Sequence, residues 1–149
     1  MNPAERALMN GRYLLNTDGG VKNNGPRSPG DDPGEAAIGI VLNDPRDRPV
    51  TTFNAAIGPE TIQGAEYRAL ITGLEIAREY RITKIRAFVD NQLVVDHIHG
   101  CAQVRSDYLA PFHKAVTDLL KKFPDQRVYW VPRERNKEAD ALVREILYP

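Results

Sequence analysis

Polar and apolar positions divide the chain into segments with two different periods. A short apolar run at residues 13–15 leads through Asn16 and Thr17 to Asp18, and Gly19-Gly20 is expected to end this first strand. Residues 22–35 are dense in Gly, Pro, Asn and Asp and read as a long loop without regular structure. Residues 37–43 form a second strand, in which Gly39 marks a bulge or a close approach. After turn chemistry at residues 44–47, residues 49–57 return as a third strand, so the first three strands make an antiparallel meander. From Ala65 the period becomes helical: Ala69, Leu70, Gly73, Leu74, Ala77 and Tyr80 form one apolar stripe. A fourth strand, IRAFV, ends on Asp90, and a short helix starts at Asn91-Gln92 and closes at Gly100. Ser106 is expected to cap a helix carrying Leu109, Phe112, Val116, Leu119 and Leu120, and residues 127–131 make a fifth strand stopped by Pro132. A last helix over residues 136–147 turns Ala139, Leu142, Val143 and Ile146 inward.

The first, fourth and fifth strands are joined through helices, and right-handed crossovers make such strands parallel. Ligand sites in such sheets lie beyond the carboxyl ends of the strands, where Asp18 and Asp90 both fall. Asp18 is expected at a rim, half exposed. Glu66 sits inside the apolar stripe of its helix, and Asp140 lies near the start of the last helix at the margin of its stripe. A carboxylate among apolar groups is costly unless a cation or a hydrogen-bond donor meets it. Four acids converging on one rim repel one another, and hard divalent cations relieve this; oxygen-only ligation suits magnesium or manganese. Two such ions about 3.5–4 Å apart can clamp a phosphodiester for in-line attack by water, with no protein nucleophile.

Composition narrows the alternatives. The 149 residues are 42% hydrophobic and 27% charged, ordinary for one globular domain; residues 1–11 read as a lead-in and residues 12–149 as the domain. No window has the roughly 18 uncharged apolar residues of a membrane helix, and the first ten residues, with Glu5 and Arg6, lack the apolar core of a secretory signal. With a lone Cys101 there is no internal disulfide, and a cytoplasmic protein is expected. Twenty basic residues balance twenty acidic ones, so any nucleic-acid contact must come from local patches. His97 and His99, beside Gly100, read as surface groups facing a helix dipole, His113 as a helix-surface residue, Lys121-Lys122 as a solvated face and Trp130 as core packing.

Four motifs in order, TDGG at 17–20, AEYRAL at 65–70, VDNQ at 89–92 and NKEADALV at 136–143, strongly resemble type 1 ribonuclease H. The resemblance runs from about Tyr13 to Leu147. It implies an α/β, ribonuclease H-like fold, a five-stranded mixed sheet (three antiparallel strands, then two parallel) flanked by helices. It further implies hydrolysis of the RNA strand of RNA–DNA hybrids, giving 5′-phosphate and 3′-hydroxyl ends, with two Mg2+ or Mn2+ ions. By the resemblance Asp18, Glu66, Asp90 and Asp140 are the metal-binding acids. Thr61 falls where the family grips a DNA-strand phosphate, Gln92 where it contacts the minor groove, Gln63 on the same substrate-facing loop, and Asn136 at an asparagine near the active site. Three departures stand out. Many members carry a histidine in the loop before the last aspartate; here the loop is PRER, resembling archaeal-type members, so Arg133 takes the corresponding role. The basic, tryptophan-rich protrusion is missing at residues 100–104, leaving affinity to groups such as Arg105, Lys114 and the loop 22–35, and that loop is longer than usual. A monomer is expected. The rival readings are another nuclease of the same fold, acting on structured RNA or DNA junctions, and a non-catalytic hybrid-binding module.

Overall fold

A computed structural model describes residues 11–24 and 33–149. All of the expected lead-in at 1–11 except Gly11, and the centre of the Gly/Pro-rich loop, lie outside the described residues. Five strands, β1 (Tyr13–Val21), β2 (Gly34–Asn43), β3 (Pro49–Glu60), β4 (Lys84–Val89) and β5 (Asp125–Trp130), form one sheet in the order β3-β2-β1-β4-β5. The β1–β2 and β2–β3 pairs are antiparallel, and the β1–β4 and β4–β5 pairs parallel, as the connections require. The helices are α1 (Ile62–Glu79), α2 (Gln92–His99), α3 (Ala110–Leu120) and α4 (Lys137–Leu147).

The alternation along β2 shows how the sheet is clothed. Ile38, Ile40 and Leu42 point into the main core with Leu15, Leu70, Leu74, Val94, Val116 and Val128, under α1, α2 and α3. Ala37 points the other way, against Val143 and Leu147 of α4. Burying each large aliphatic side chain contributes roughly 1.5–3 kcal/mol, so the α1–α3 layer dominates the stability. At the edge away from the carboxylates, Asp125 pairs with Arg86 at 2.8 Å and Arg12 at 3.2 Å, tying the starts of β4, β5 and β1 together.

The structure departs from expectation where local pattern is misleading. β1 does not stop at Gly19-Gly20 but runs through them to Val21. The glycines are there for proximity: a Cβ on Gly19 would lie 2.3 Å from the Ala65 carbonyl carbon, so only glycine lets α1 cross so low over the strand. Gly39 is likewise a close approach, to the Ala139 carbonyl, and the irregularities in β2–β3 pairing fall at Ala36/Ala37 and Leu42/Asn43 instead. Tyr80 is the exposed residue that terminates α1, followed by Arg81 at φ 60°, and does not join the stripe. Ser106 accepts from the Leu109 amide and so caps the turn preceding α3, not the helix itself. Trp130 is 45% exposed, because β5 is an edge strand and its end extends to the sheet rim. His97 is buried, stacked on Tyr67 and sharing a 2.9 Å hydrogen bond with its hydroxyl, and His113 is half-buried with Nε2 3.1 Å from the His97 carbonyl.

Candidate metal centre

Parallel pairing of β1 with β4 ends at Thr17–Val89. Asp18 and Asp90 are therefore each the next residue after that last pair, Asp18 still within β1 and Asp90 just past the end of β4. Asp18 is still held by β2, where it opposes Gly39. Asp90 lies immediately before the Asn91 side chain that caps α2 by accepting from the Val94 amide. The third acid arrives from above. Thr61 caps α1 by accepting from the Gly64 amide at 3.0 Å, and the Gly19–Ala65 contact sets the first turns of the helix onto β1. Glu66 then meets the Gly19 amide, which donates to its Oε1 at 3.3 Å. Its other oxygen, Oε2, is buried with no hydrogen-bond partner.

One ligand atom from each of Asp18, Glu66 and Asp90 lies within 4.8 Å of the other two. Asp18 is 6% and Glu66 3% exposed, so neither is the half-exposed rim group that a strand end suggests. Burial is the main reason the Asp18 carboxyl is pushed up to about 7; the charges of Asp90 and Asp140 add to it, while the charge of Arg133 opposes it. Burial, then Asp18 and Asp90, raise Glu66 well above the ordinary glutamate range. Asp90 is raised by burial and Asp140, against a hydrogen bond from Asn136 and the charge of Arg133.

Asp140 stands apart from the trio. It lines the same cleft of about 410 Å³, with Arg133, but its carboxylate accepts from Arg144 Nε at 2.9 Å, one helical turn along α4. The structure thus brings three of the four predicted acids into ligand range and places the fourth on the wall. Arg133 is exposed on a short 3-10 turn, Arg133–Arg135, and faces this cleft. Gln92 is exposed in the first turn of α2, and Gln63 is half-buried on α1 with its Oε1 unpartnered. Thr61 is buried, with its hydroxyl in the cap.

Asn136 lies beside the carboxylates, where its match places it, but is turned inward. It is 1% exposed, and its amide donates to the Thr17 carbonyl at 2.9 Å and to Asp90 Oδ2 at 3.1 Å while accepting from Asn16. An amide with every donor engaged inside the protein has none left for a nucleic acid. Sequence reasoning missed Arg144 and Asn16. The four-residue spacing from Asp140 to Arg144 could have revealed the first. Nothing local marks Asn16, whose partner is 120 residues away.

A mixed sheet in this order, with carboxylates gathered where β1 and β4 end, defines a ribonuclease H-like fold. A sequence model of the family described as reverse transcriptase-like matches residues 24–146. Ribonuclease HI of Halobacterium salinarum is 36% identical over 115 residues, 77% of this chain and 58% of that protein. A bifunctional protein of Mycobacterium tuberculosis is 30% identical over 137 residues, 91% of this chain and 35% of that protein; the chain thus spans only part of the curated relatives it matches. Among solved structures, the Halobacterium RNase H1 superposes with a TM-score of 0.83 at 34% identity, covering 92% of this chain and 98% of that one. The N-terminal RNase H domain of the Mycobacterium tuberculosis protein gives 0.82 at 30%, covering 92% and 94%. LC11-RNase H1 in complex with an RNA/DNA hybrid gives 0.79 at 27%, covering 90% and 95%. The chain belongs to the type 1 ribonuclease H family.

Proposed function

We propose that this protein is a metal-dependent endoribonuclease that hydrolyses the RNA strand of RNA–DNA hybrids, leaving 5′-phosphate and 3′-hydroxyl ends, with residues 12–149 acting as one catalytic domain. The observation that carries the reading is the trio of Asp18, Glu66 and Asp90, with a buried Glu66 oxygen that has no partner. Three carboxyls packed this closely are all raised above their ordinary range, and an all-oxygen donor set of this kind fits Mg2+ or Mn2+. Asp18, Glu66 and Asp90 would hold the metal, with Asp140 joining from the wall on release from Arg144. When bound, two such ions supply an activated water and stabilise the leaving oxygen.

The chain's own groups do the positioning. β1 and β4 fix two carboxylates by sheet register, and the Gly19 amide orients the third. Arg133 brings positive charge to the open side of the cleft, in place of the loop histidine of other members, and assists product departure. Thr61 accepts from Gly64 and donates a long 3.5 Å hydrogen bond to Glu60 Oε1, which a DNA-strand phosphate would replace; Gln63 and Gln92 supply amides for the minor groove, where 2′-hydroxyls distinguish RNA. The relative LC11-RNase H1, solved with an RNA/DNA hybrid, supports the substrate class. All four acids are present, which argues against a non-catalytic hybrid-binding module. We also infer a cytoplasmic monomer; among the described residues no helix is long and apolar enough to cross a membrane.

The test is cleavage of one labelled sequence as RNA–DNA hybrid, RNA duplex, DNA duplex and single-stranded RNA, with Mg2+, Mn2+ or chelator. Metal-dependent cutting of the RNA strand of the hybrid alone is expected. Binding without cutting would leave a recognition module, and cutting another substrate would overturn the specificity while keeping the metal centre.

A further inference from the structure

We propose that Asn16 and Asn136 form a part-buried amide brace that positions Asp90, and with it the segment carrying Arg133 and Asp140, for metal binding; the inference rests on the metal centre proposed above. Each polar atom of the Asn136 side chain is assigned. Its two amide protons go to the Thr17 carbonyl and Asp90 Oδ2, and its oxygen accepts from Asn16 Nδ2 at 3.0 Å. Turning the amide over would set its oxygen against two acceptors and its NH2 against a donor, so the three partners allow a single orientation.

The main chain of Asn136 extends the same brace. Its amide donates to the Arg133 carbonyl at 2.9 Å, and its carbonyl accepts from the Asp140 amide at 3.1 Å. One residue therefore joins the strand end before Asp18, the carboxylate of Asp90, the turn bearing Arg133 and the first turn of α4. The Asn136 side chain, 1% exposed, is closed off from a substrate in the carboxylate cleft. Asn136 and Asn16 line a separate cleft of about 320 Å³ with Asn43, Asp47 and Glu134, and Asn136 is absent from the lining of the carboxylate cleft. Asn136 is thus a positioning residue that acts through Asp90. Asn16, on β1 two residues before Asp18 and on the same face of the sheet, orients it.

The brace has a consequence for the metal. Asp90 Oδ2 is held in place by the neutral Asn136 amide, so the carboxylate is oriented before an ion arrives. Groups that hydrogen-bond a ligating carboxylate typically change metal affinity or activity by about 10–100-fold when removed.

The experiment compares wild type, Asn136→Ala and Asn16→Ala by three readouts: thermal melting, free Mn2+ by electron paramagnetic resonance during titration, and steady-state cleavage of a hybrid. Asn136→Ala should weaken Mn2+ binding by roughly tenfold and lower kcat in step, with KM for the hybrid within about twofold of wild type. Asn16→Ala should move both in the same direction by a smaller factor. Wild-type Mn2+ affinity in a folded Asn136→Ala would overturn the brace. A raised KM with unchanged kcat would do the same, since it marks a substrate contact. If Asn136→Ala does not fold, Asn16→Ala decides by the same criteria. The two readings fail separately: a wild type that binds Mn2+ but cuts no hybrid defeats the proposed function alone, and the Mn2+ arm still reports on the brace. A wild type that binds no Mn2+ defeats the brace too.

Discussion

Gly19 of β1 and Ala65 of α1 meet backbone to backbone: a methyl group on Gly19 would fall 2.3 Å from both the carbonyl carbon and the carbonyl oxygen of Ala65. This contact sets how low α1 rides over the sheet, and the next residue of the helix is Glu66. Gly19→Ala must push helix and strand apart, since neither neighbour is a flexible side-chain end. Loss of at least about 2 kcal/mol of stability is expected, measured by urea unfolding, together with weaker metal binding as Glu66 leaves Asp18. Native stability in that variant would mean the crossing is looser than described.

Asp18→Asn should abolish hybrid cleavage and stabilise the metal-free protein at high pH. The Asp18 carboxyl rises from 3.8 to about 7 on folding, so between those values the native state holds more protons than the unfolded chain. The contribution of this group to the stability of the metal-free wild type is then fully present below pH 4 and is lost as pH rises through about 7. The asparagine removes the penalty. An increase in Tm of roughly 3–8 °C at pH 8 and little at pH 4 is expected in chelator. Equal shifts at both pH values would show that the gain is not electrostatic, and residual cleavage within tenfold of wild type would refute the metal site.

Arg133→Ala tests the loop that lacks the histidine. The guanidinium lowers the carboxyls of Asp18 and Asp90, yet it is exposed and makes no structural ion pair among those described. Stability should stay within about 0.5 kcal/mol of wild type while kcat falls by about tenfold without vanishing. Unchanged steady-state kinetics would remove Arg133 from the mechanism.

His97 gives acid stability the opposite sign. Its imidazole is pushed below the ordinary 6.5 by burial first and by His113 second, with Asp96 opposing. A base whose proton is held more weakly in the native state contributes stability that is present above pH 6.5 and declines as pH falls below it. Tyr67→Phe leaves the His97 Nδ1 without its partner and should cost about 1–2 kcal/mol at pH 8, by calorimetry, with KM for the hybrid unchanged. An unaffected Tm would show that water replaces the phenol.

Much of the architecture is legible in the chain because periodicity is local. Alternation in residues 37–43 and the three-to-four spacing after Ala65 each say which face of an element is apolar, and the short and long connections between them set the antiparallel and parallel pairs. Glu66 could be singled out for the same reason: a carboxylate inside an apolar stripe is an anomaly on its own helix. Where inference from the sequence went astray, the deciding neighbour was remote. Gly19-Gly20 resembles a strand end until α1 is laid across it. Trp130 reads as core until β5 is seen to be an edge strand. His97 reads as surface until Tyr67, 30 residues earlier, is brought against it.

The candidate site divides along the same line. By itself the sequence determined the kinds and order of the elements and the four acids at their edges. Only the tertiary structure decided that Asp18, Glu66 and Asp90 come within ligand range of one another while Asp140 turns to Arg144, and that the Asn136 amide donates to Asp90. The physical reason is distance along the chain. A side chain's tendency to be buried follows from its own element, but the partner that satisfies it there is chosen by sheet register and helix crossing, across separations of 47 residues for Gly19 and Glu66 and 120 for Asn16 and Asn136.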